Sequence, residues 1–479
     1  MKLLLIISLL ITTVISQIPL KDYKPNVFVL TDISNEPDDA ESLVRLLLYT
    51  NEINLHGIVA TTSQWLNTTT HEEDISPVLE GYEQVYENLI KHSDQYPTAD
   101  YLRSIVKKGH GEYGSLALEN NTLSSGAEHL IQTIDQLKDV DDYLYILVWG
   151  GANVLAETLK HLSENRSKEE VDSVISKLSV YTISDQDNTG PWIRFTYPKL
   201  RYIASIHAFN HYRNSAWIGI SGEETYNFDK GGPDGSWIAE DWVKEHIQDV
   251  GPLGEHYLDK AFIYEGDTPT TFSVLPNGLN VPSHPEYGGW GGRYGLIDAS
   301  GAFNHYADVE DHVIGINGDN FTSSQATVWR WRPEYQSDFA ARMQWTVKDF
   351  NETYHEPIIV ANETQSVLPF IVEARLNSTV VLDVSQSYDL NGHDLEFEWF
   401  HYREATSIDS RAADVVEIEI RPLNTREDQV EFTIPSFDDL CLGTLKTELE
   451  NCKENHIIVK VSNGKTSSYR RFLVKALKE

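Results

Sequence analysis

Short unbroken apolar runs alternate with stretches of helical spacing along the first three quarters of the chain, and most of the apolar runs end in a polar loop. Val27 to Leu30 is the first run, four apolar residues that suit a strand buried on both faces. Leu43, Val44, Leu46, Leu47 and Leu48 follow at helical spacing, and Leu55 to Ala60 returns to a short strand. Strand, helix and strand open a parallel sheet. The same alternation predicts strands over 143–149, 178–183, 202–206 and 261–264, and helices over 76–92, 126–137, 154–162, 237–246 and 333–350. Past Tyr354 the pattern changes to short branched or aromatic runs parted by turn residues, that of an all-β, immunoglobulin-like sandwich of roughly 120 residues. A chain of 479 residues is too long for one ordinary core. The expected division is therefore an α/β domain over 21–354, an open and mostly parallel sheet with helices on both faces, followed by the β domain over 355–479.

The polar loops carry the chemistry. Thr31 to Asp39 holds Asp32, Glu36, Asp38 and Asp39 between a strand's carboxyl end and a helix's amino end, where open parallel sheets place their ligands. Carboxylates crowded there repel one another unless something positive sits among them, and a hard cation with oxygen ligands is one solution. An acidic first turn favoured by the helix dipole is the other. Gly150 to Asn153 follow the next strand, at a corner where a free carbonyl could reach a metal or where glycine merely makes the turn. Asp185, Asp187 and Asn188 stand in a third such loop, and Asp267 in a fourth, either as a ligand or as turn chemistry. Tyr287, Trp290 and Tyr294, with the Arg293 fork, lie on turn-rich backbone suited to stacking on sugars or bases, or to packing as an ordered loop, and Trp65 stands in the loop after the second strand.

Charge narrows the partners. The chain has 38 basic and 73 acidic residues, a formal charge of −35, which argues against nucleic acid polymers and anionic membranes. Met1 and Lys2 before the apolar run Leu3–Ile11, with small residues near Ser16, predict a signal peptide over 1–16 and a secreted, extracellular or cell-wall-associated protein. No later segment resembles a spanning helix. In an oxidising compartment Cys441 and Cys452, with ten residues between them, could close a disulfide loop. Seven Asn-x-Ser/Thr sites, at Asn67, Asn120, Asn165, Asn320, Asn351, Asn362 and Asn377, are glycosylation acceptors if they lie on the surface.

The segment VFVLTDISNEPDDA resembles the acidic signature of nucleoside hydrolases, which holds a calcium ion. With SDQDNTGPWIR, GPLGEHY, EGDTPT, PNGLN, GGWGGRYG and WRWRPEYQSDFAARMQW, the likeness is to cellulose-binding proteins that carry a nucleoside-hydrolase-like domain and a carboxyl-terminal β domain. That resemblance implies Ca2+ held by Asp32, Asp39, the Ala152 carbonyl and Asp267. It implies further that Asp32 activates water and that Asp38 binds sugar hydroxyls, with Asn153 next to the Ala152 carbonyl and Asp185, Asp187 and Asn188 in a loop comparable to the ribose-recognition one; Trp65, Trp290, Arg293 and Tyr294 are the further candidate sugar contacts, read from the residues themselves. Two departures stand out. Five residues separate Asp32 from Asp38 where the hydrolase signature has three, and Gly266 precedes Asp267 where those enzymes have a histidine acid. Glu36 and Glu265 are then the candidate leaving-group acids. The implied function is calcium-dependent hydrolysis of an N- or O-glycosidic bond, or, as the alternative, cellulose or polysaccharide binding on a hydrolase-like scaffold. Homo-oligomers would be in keeping with the hydrolases.

Overall fold

In this computed structural model the described residues are 17–208, 211–298, 300–406, 415–436, 439 and 454–477. The predicted signal segment and the Cys441–Cys452 pair lie outside them. Eight strands form the main sheet: β1 (Asn26–Thr31), β2 (Asn54–Ala60), β3 (Val106–Lys108), β4 (Leu144–Val148), β5 (Leu178–Ser184), β6 (Arg201–Ser205), β7 (Tyr294–Leu296) and β8 (His305–Asp308), in the order β3-β2-β1-β4-β5-β6-β8-β7. All neighbours pair in parallel except β7 with β8.

Alternation along β1 divides two cores. Val27 and Val29 pack with the apolar faces of α1 (Asp38–Leu48) and α2 (Ile75–Leu89), whereas Phe28 and Leu30 face α3 (Ser125–Gln136), α4 (Asn153–Asn165) and α5 (Thr189–Thr196). Both faces are covered, so β1 is apolar throughout its middle and contains no alternating polar residue. The predicted strand over 261–264 does not form. Ile263 and Tyr264 are buried, yet the segment is irregular and its Tyr264 amide donates to Ser221 Oγ. The sheet grows instead through β7 and β8, too short and too weakly apolar to stand out in the sequence.

Beyond Tyr354 the chain is β-rich. Strands β9 (Phe370–Arg375), β11 (Glu396–His401), β14 (Asn455–Ser462) and β15 (Ser467–Leu477) form one sheet, ordered β9-β15-β14-β11. The other, ordered β10-β13-β12, consists of β10 (Thr379–Asp383), β12 (Arg421–Pro422) and β13 (Gln429–Thr433). Leu382, Val430 and Phe432 from the second sheet share a core with Phe397, Val459 and Phe472 from the first. This β-rich part is built onto the main domain: Tyr402, Ile458 and Tyr469 join the cluster that holds Trp290, Trp331 and Tyr335, and Arg471 donates to the Leu279 and Gly288 carbonyls at 2.7 and 2.8 Å. All seven sequon asparagines are exposed. Among the described residues no helix is long and apolar enough to cross a membrane.

Candidate functional site

Strand order reverses between β1 and β4, so the carboxyl ends of these two strands open a crevice at the switch point of the sheet. Asp32 follows β1 directly, Trp149 and Gly150 follow β4, and α1 begins at Asp38 beside them. From a distant part of the chain, the turn before α6 (Thr268–Val274) brings Asp267 to the same point. Asp38, Asp39 and Asp267 each present a carboxylate oxygen within 4.8 Å of the other two. Together with Asp32 and Glu36 they line a cavity of about 380 Å³.

The acids occupy this place because small residues make room for them. A Cβ on Gly150 would stand 2.7 Å from Asp32 Oδ1, and one on Gly266 would stand 2.7 Å from Asp38 Oδ2. Thr31 Oγ1 donates to Asp39, and the first-turn position of Asp38 and Asp39 sets them against the positive end of α1. These contacts leave the cluster undercompensated. Asp32 and Asp267 are each 2% exposed, and each keeps one carboxylate oxygen, Oδ2, without a hydrogen-bond partner among the described residues. Burial raises all four pKa values: Asp32 to about 6, Asp38 to about 7 with further push from Glu36 and Asp32, and Asp39 and Asp267 well above the usual carboxylate range. Among the described residues no lysine, arginine or histidine lines the cavity. Buried hard oxygens with open lone pairs and no protein cation among them are a donor set that fits a divalent metal.

Of the residues singled out in the sequence, Asp32, Asp38, Asp39, Asp267, Glu36 and Trp65 meet here. Their grouping differs from the expectation in one respect. Asp38 belongs to the tight triad with Asp39 and Asp267, and Asp32 stands beside it. Ala152 does not line the cavity; its carbonyl accepts the Ala156 amide at 2.9 Å, the opening bond of α4. Asn153 donates to Thr62 Oγ1 at 3.0 Å. Asp185 is engaged by Arg194 at 2.6 and 2.7 Å, Asp187 accepts the Thr189 amide at 2.8 Å, and Asn188 accepts the Ser115 amide at 2.8 Å. None of the four lines the cavity, although Asp187 keeps its buried Oδ2 without a hydrogen-bond partner among the described residues.

The aromatic surface expected near residue 290 is core. Trp290 is 2% exposed against Phe272, Tyr335 and Tyr469, the Tyr294 hydroxyl meets that of Tyr181, and Arg293 pairs with Asp311 at 2.7 Å. Glu265 is likewise consumed, by Arg45. The aromatic wall comes instead from Trp65, Trp149, Tyr212, Trp217, Tyr226 and Phe262. Most of these lie on a segment without strand or helix periodicity, where the density of aromatic residues was the one available signal. The Trp217 indole N–H is buried and has no partner among the described residues.

A model of the family described as "Cellulose-binding Sde182, nucleoside hydrolase-like domain" matches residues 26–294, and one described as "Cellulose-binding protein Sde0182, C-terminal domain" matches 379–476. Among solved structures, a nucleoside hydrolase-related hypothetical protein from Saccharophagus degradans, associated with carbohydrate metabolism, is 30% identical. The match covers 95% of this chain and 100% of that one, with a TM-score of 0.75. An inosine-uridine preferring nucleoside hydrolase from Bacillus anthracis is 13% identical over 68% of this chain and 100% of its own, with a TM-score of 0.33, too distant to carry residue roles across. No curated protein matches.

Proposed function

The chain belongs to the family of cellulose-binding proteins with a nucleoside hydrolase-like domain, and from that premise we propose a secreted polysaccharide-binding protein whose sugar site is organised by calcium at the switch point of the sheet. The observation that carries this reading is the cavity itself, with carboxylates on its floor and aromatic side chains on its wall. Bound there, calcium would be held by Asp38, Asp39 and Asp267, with Asp32 alongside, and would supply a Lewis-acidic centre for vicinal hydroxyls. The aromatic faces supply stacking surface for a sugar ring, and the Trp217 N–H supplies a donor for one of its oxygens. In this reading the β-rich part is an immunoglobulin-like buttress that covers the apolar face around Trp331.

One observation favours a second reading, hydrolysis of a glycosidic bond at the same place. Asp32 Oδ2 is buried and unpartnered among the described residues, and in this reading it would accept a proton from a water attacking the anomeric carbon. Glu36, on the cavity wall with its pKa raised by burial, is the carboxyl nearest in kind to a leaving-group acid. Retention of the purified chain on cellulose and other wall polysaccharides, measured with calcium and with a chelator, tests the first reading. Release of reducing sugar or free base under the same conditions tests the second. Retention that ignores calcium and survives Trp65→Ala would refute the proposed site.

A further inference from the structure

The metal-fitting triad is assembled from two pieces of chain far apart in sequence. Asp38 and Asp39 belong to the first turn of α1, whereas Asp267 belongs to the turn ahead of α6. Asp39 and Asp267 are buried and Asp38 is half-buried, and like charges on them repel across a separation of 4.8 Å or less. Some contact outside the cavity must oppose that repulsion.

Arg45 lies seven residues after Asp38 on α1, two turns further along the same face. Its side chain is entirely buried, with the guanidinium 3.9 Å from the centre of the Phe339 ring. Nε and Nη2 donate to the two carboxylate oxygens of Glu265 at 2.5 and 2.9 Å, a bidentate pair. Glu265 is two residues before Asp267. Its amide donates to Glu41 Oε2, also on α1, at 2.8 Å, and the Tyr257 hydroxyl donates to its Oε1 at 2.7 Å. The remaining Arg45 donors reach the Tyr335 carbonyl at 3.0 Å and Gln336 Oε1, on α7 (Arg332–Trp345). Glu265 has φ of +54°, a left-handed conformation that a glutamate keeps only when its surroundings impose it. Helix α1 thus grips the 265–267 turn twice, by the Arg45 side chain and by the Glu41 carboxylate, and both grips lie behind the triad.

We infer that Arg45 is a positioning residue for the metal site, clamping the turn that carries Asp267 onto the helix that carries Asp38 and Asp39 through its ion pair with Glu265. The inference rests on the metal reading proposed above. Arg45 touches neither metal nor sugar. It sets the spacing of ligands before the ion arrives, so that binding spends no free energy on drawing the turn in.

The test compares Arg45→Met, Arg45→Lys and Glu265→Gln with Arg342→Met, which removes another wholly buried arginine, paired with Glu52 at 2.5 Å and Asp338 at 3.0 Å, away from the turn. Two quantities are measured on the full secreted chain: calcium affinity by titration calorimetry, and amide hydrogen exchange over 264–268 in the metal-free protein. The clamp predicts that Arg45→Met and Glu265→Gln weaken calcium binding by about 10–100-fold and speed exchange in that segment selectively, with Arg45→Lys in between. Arg342→Met should lower thermal stability and leave both quantities near wild type. Wild-type affinity and exchange in Arg45→Met, or equal losses in Arg342→Met, would overturn the clamp. If the wild-type chain takes up no calcium, the metal reading falls, and the exchange comparison still decides whether Arg45 holds the turn. Should Arg45→Met fail to fold, Arg45→Lys and Glu265→Gln carry the same comparison.

Discussion

Replacing Asp32 with asparagine should make the metal-free protein more stable at neutral pH, although the residue lines the site beside the triad. The Asp32 carboxyl is 2% exposed and its pKa is raised from 3.8 to about 6, chiefly because burial penalises its charged form. Below pH 3.8 the proton is bound in both folded and unfolded chains, and the group is neutral in its effect. Between 3.8 and about 6 the folded chain holds a proton that the unfolded chain has released, so stability falls as pH rises through this window and stays reduced above it. At 1.36 kcal/mol per pKa unit, the cost above pH 6 is about 3 kcal/mol. Asp38, raised to about 7, extends the decline to neutrality. Asparagine has no proton to lose and escapes the penalty. Urea unfolding of wild type and Asp32→Asn in chelator, from pH 4 to 8, should give curves that coincide near pH 4 and separate by up to about 3 kcal/mol at pH 7.5, the variant being the more stable. Calcium at 1,000 times its wild-type Kd should reverse the order, because it adds about 4.1 kcal/mol to the wild-type chain and less to a variant that binds it more weakly. A variant less stable than wild type in chelator at pH 7.5 would refute the claim that the cluster is undercompensated.

Asp39→Asn removes a buried member of the triad and should weaken calcium binding by more than about 100-fold, beyond what outer-shell partners usually contribute; titration calorimetry checks this. Gly266→Ala would put a methyl group 2.7 Å from Asp38 Oδ2, displacing that carboxylate and lowering calcium affinity by about 10-fold, while thermal stability without metal should change little. Trp65 is 44% exposed on the cavity rim, so Trp65→Ala should shift unfolding free energy by no more than about 0.5 kcal/mol and reduce retention on polysaccharide. Trp290→Ala should do the opposite, costing about 3–5 kcal/mol of stability as a core deletion, and denaturation beside a pull-down separates the two.

Much of the site was legible from local pattern. Val27 to Leu30 are buried on both sides as an unbroken apolar run requires, and Asp32, Asp38 and Asp39 stand at the end of that strand because charged residues have no place within it. Asp267 was reachable through its position after an apolar segment, although the strand predicted there is an irregular stretch. The aromatic residues were misassigned for a physical reason. Glycine and proline around Trp290 and Tyr294 mark turns, but nothing local says whether another segment lies over those turns, and here Tyr335 and Tyr469 do. In the same way the loop acid Asp185 reads as available until Arg194 is seen to take it, and Asp187 until its Oδ1 is seen on the Thr189 amide.

The sequence by itself determined the alternation of buried strands and amphipathic helices, the change to β structure past Tyr354, and the crowding of acids at one strand end, because these follow from backbone periodicity and from the cost of burying charge. Tertiary structure alone decided that Asp38 rather than Asp32 completes the triad, that Tyr212, Trp217, Tyr226 and Phe262 form the wall, and that Arg45 reaches Glu265. Those pairings join segments far apart in the chain, and their distances are set by how the helices and turns pack against the sheet, which no local period encodes.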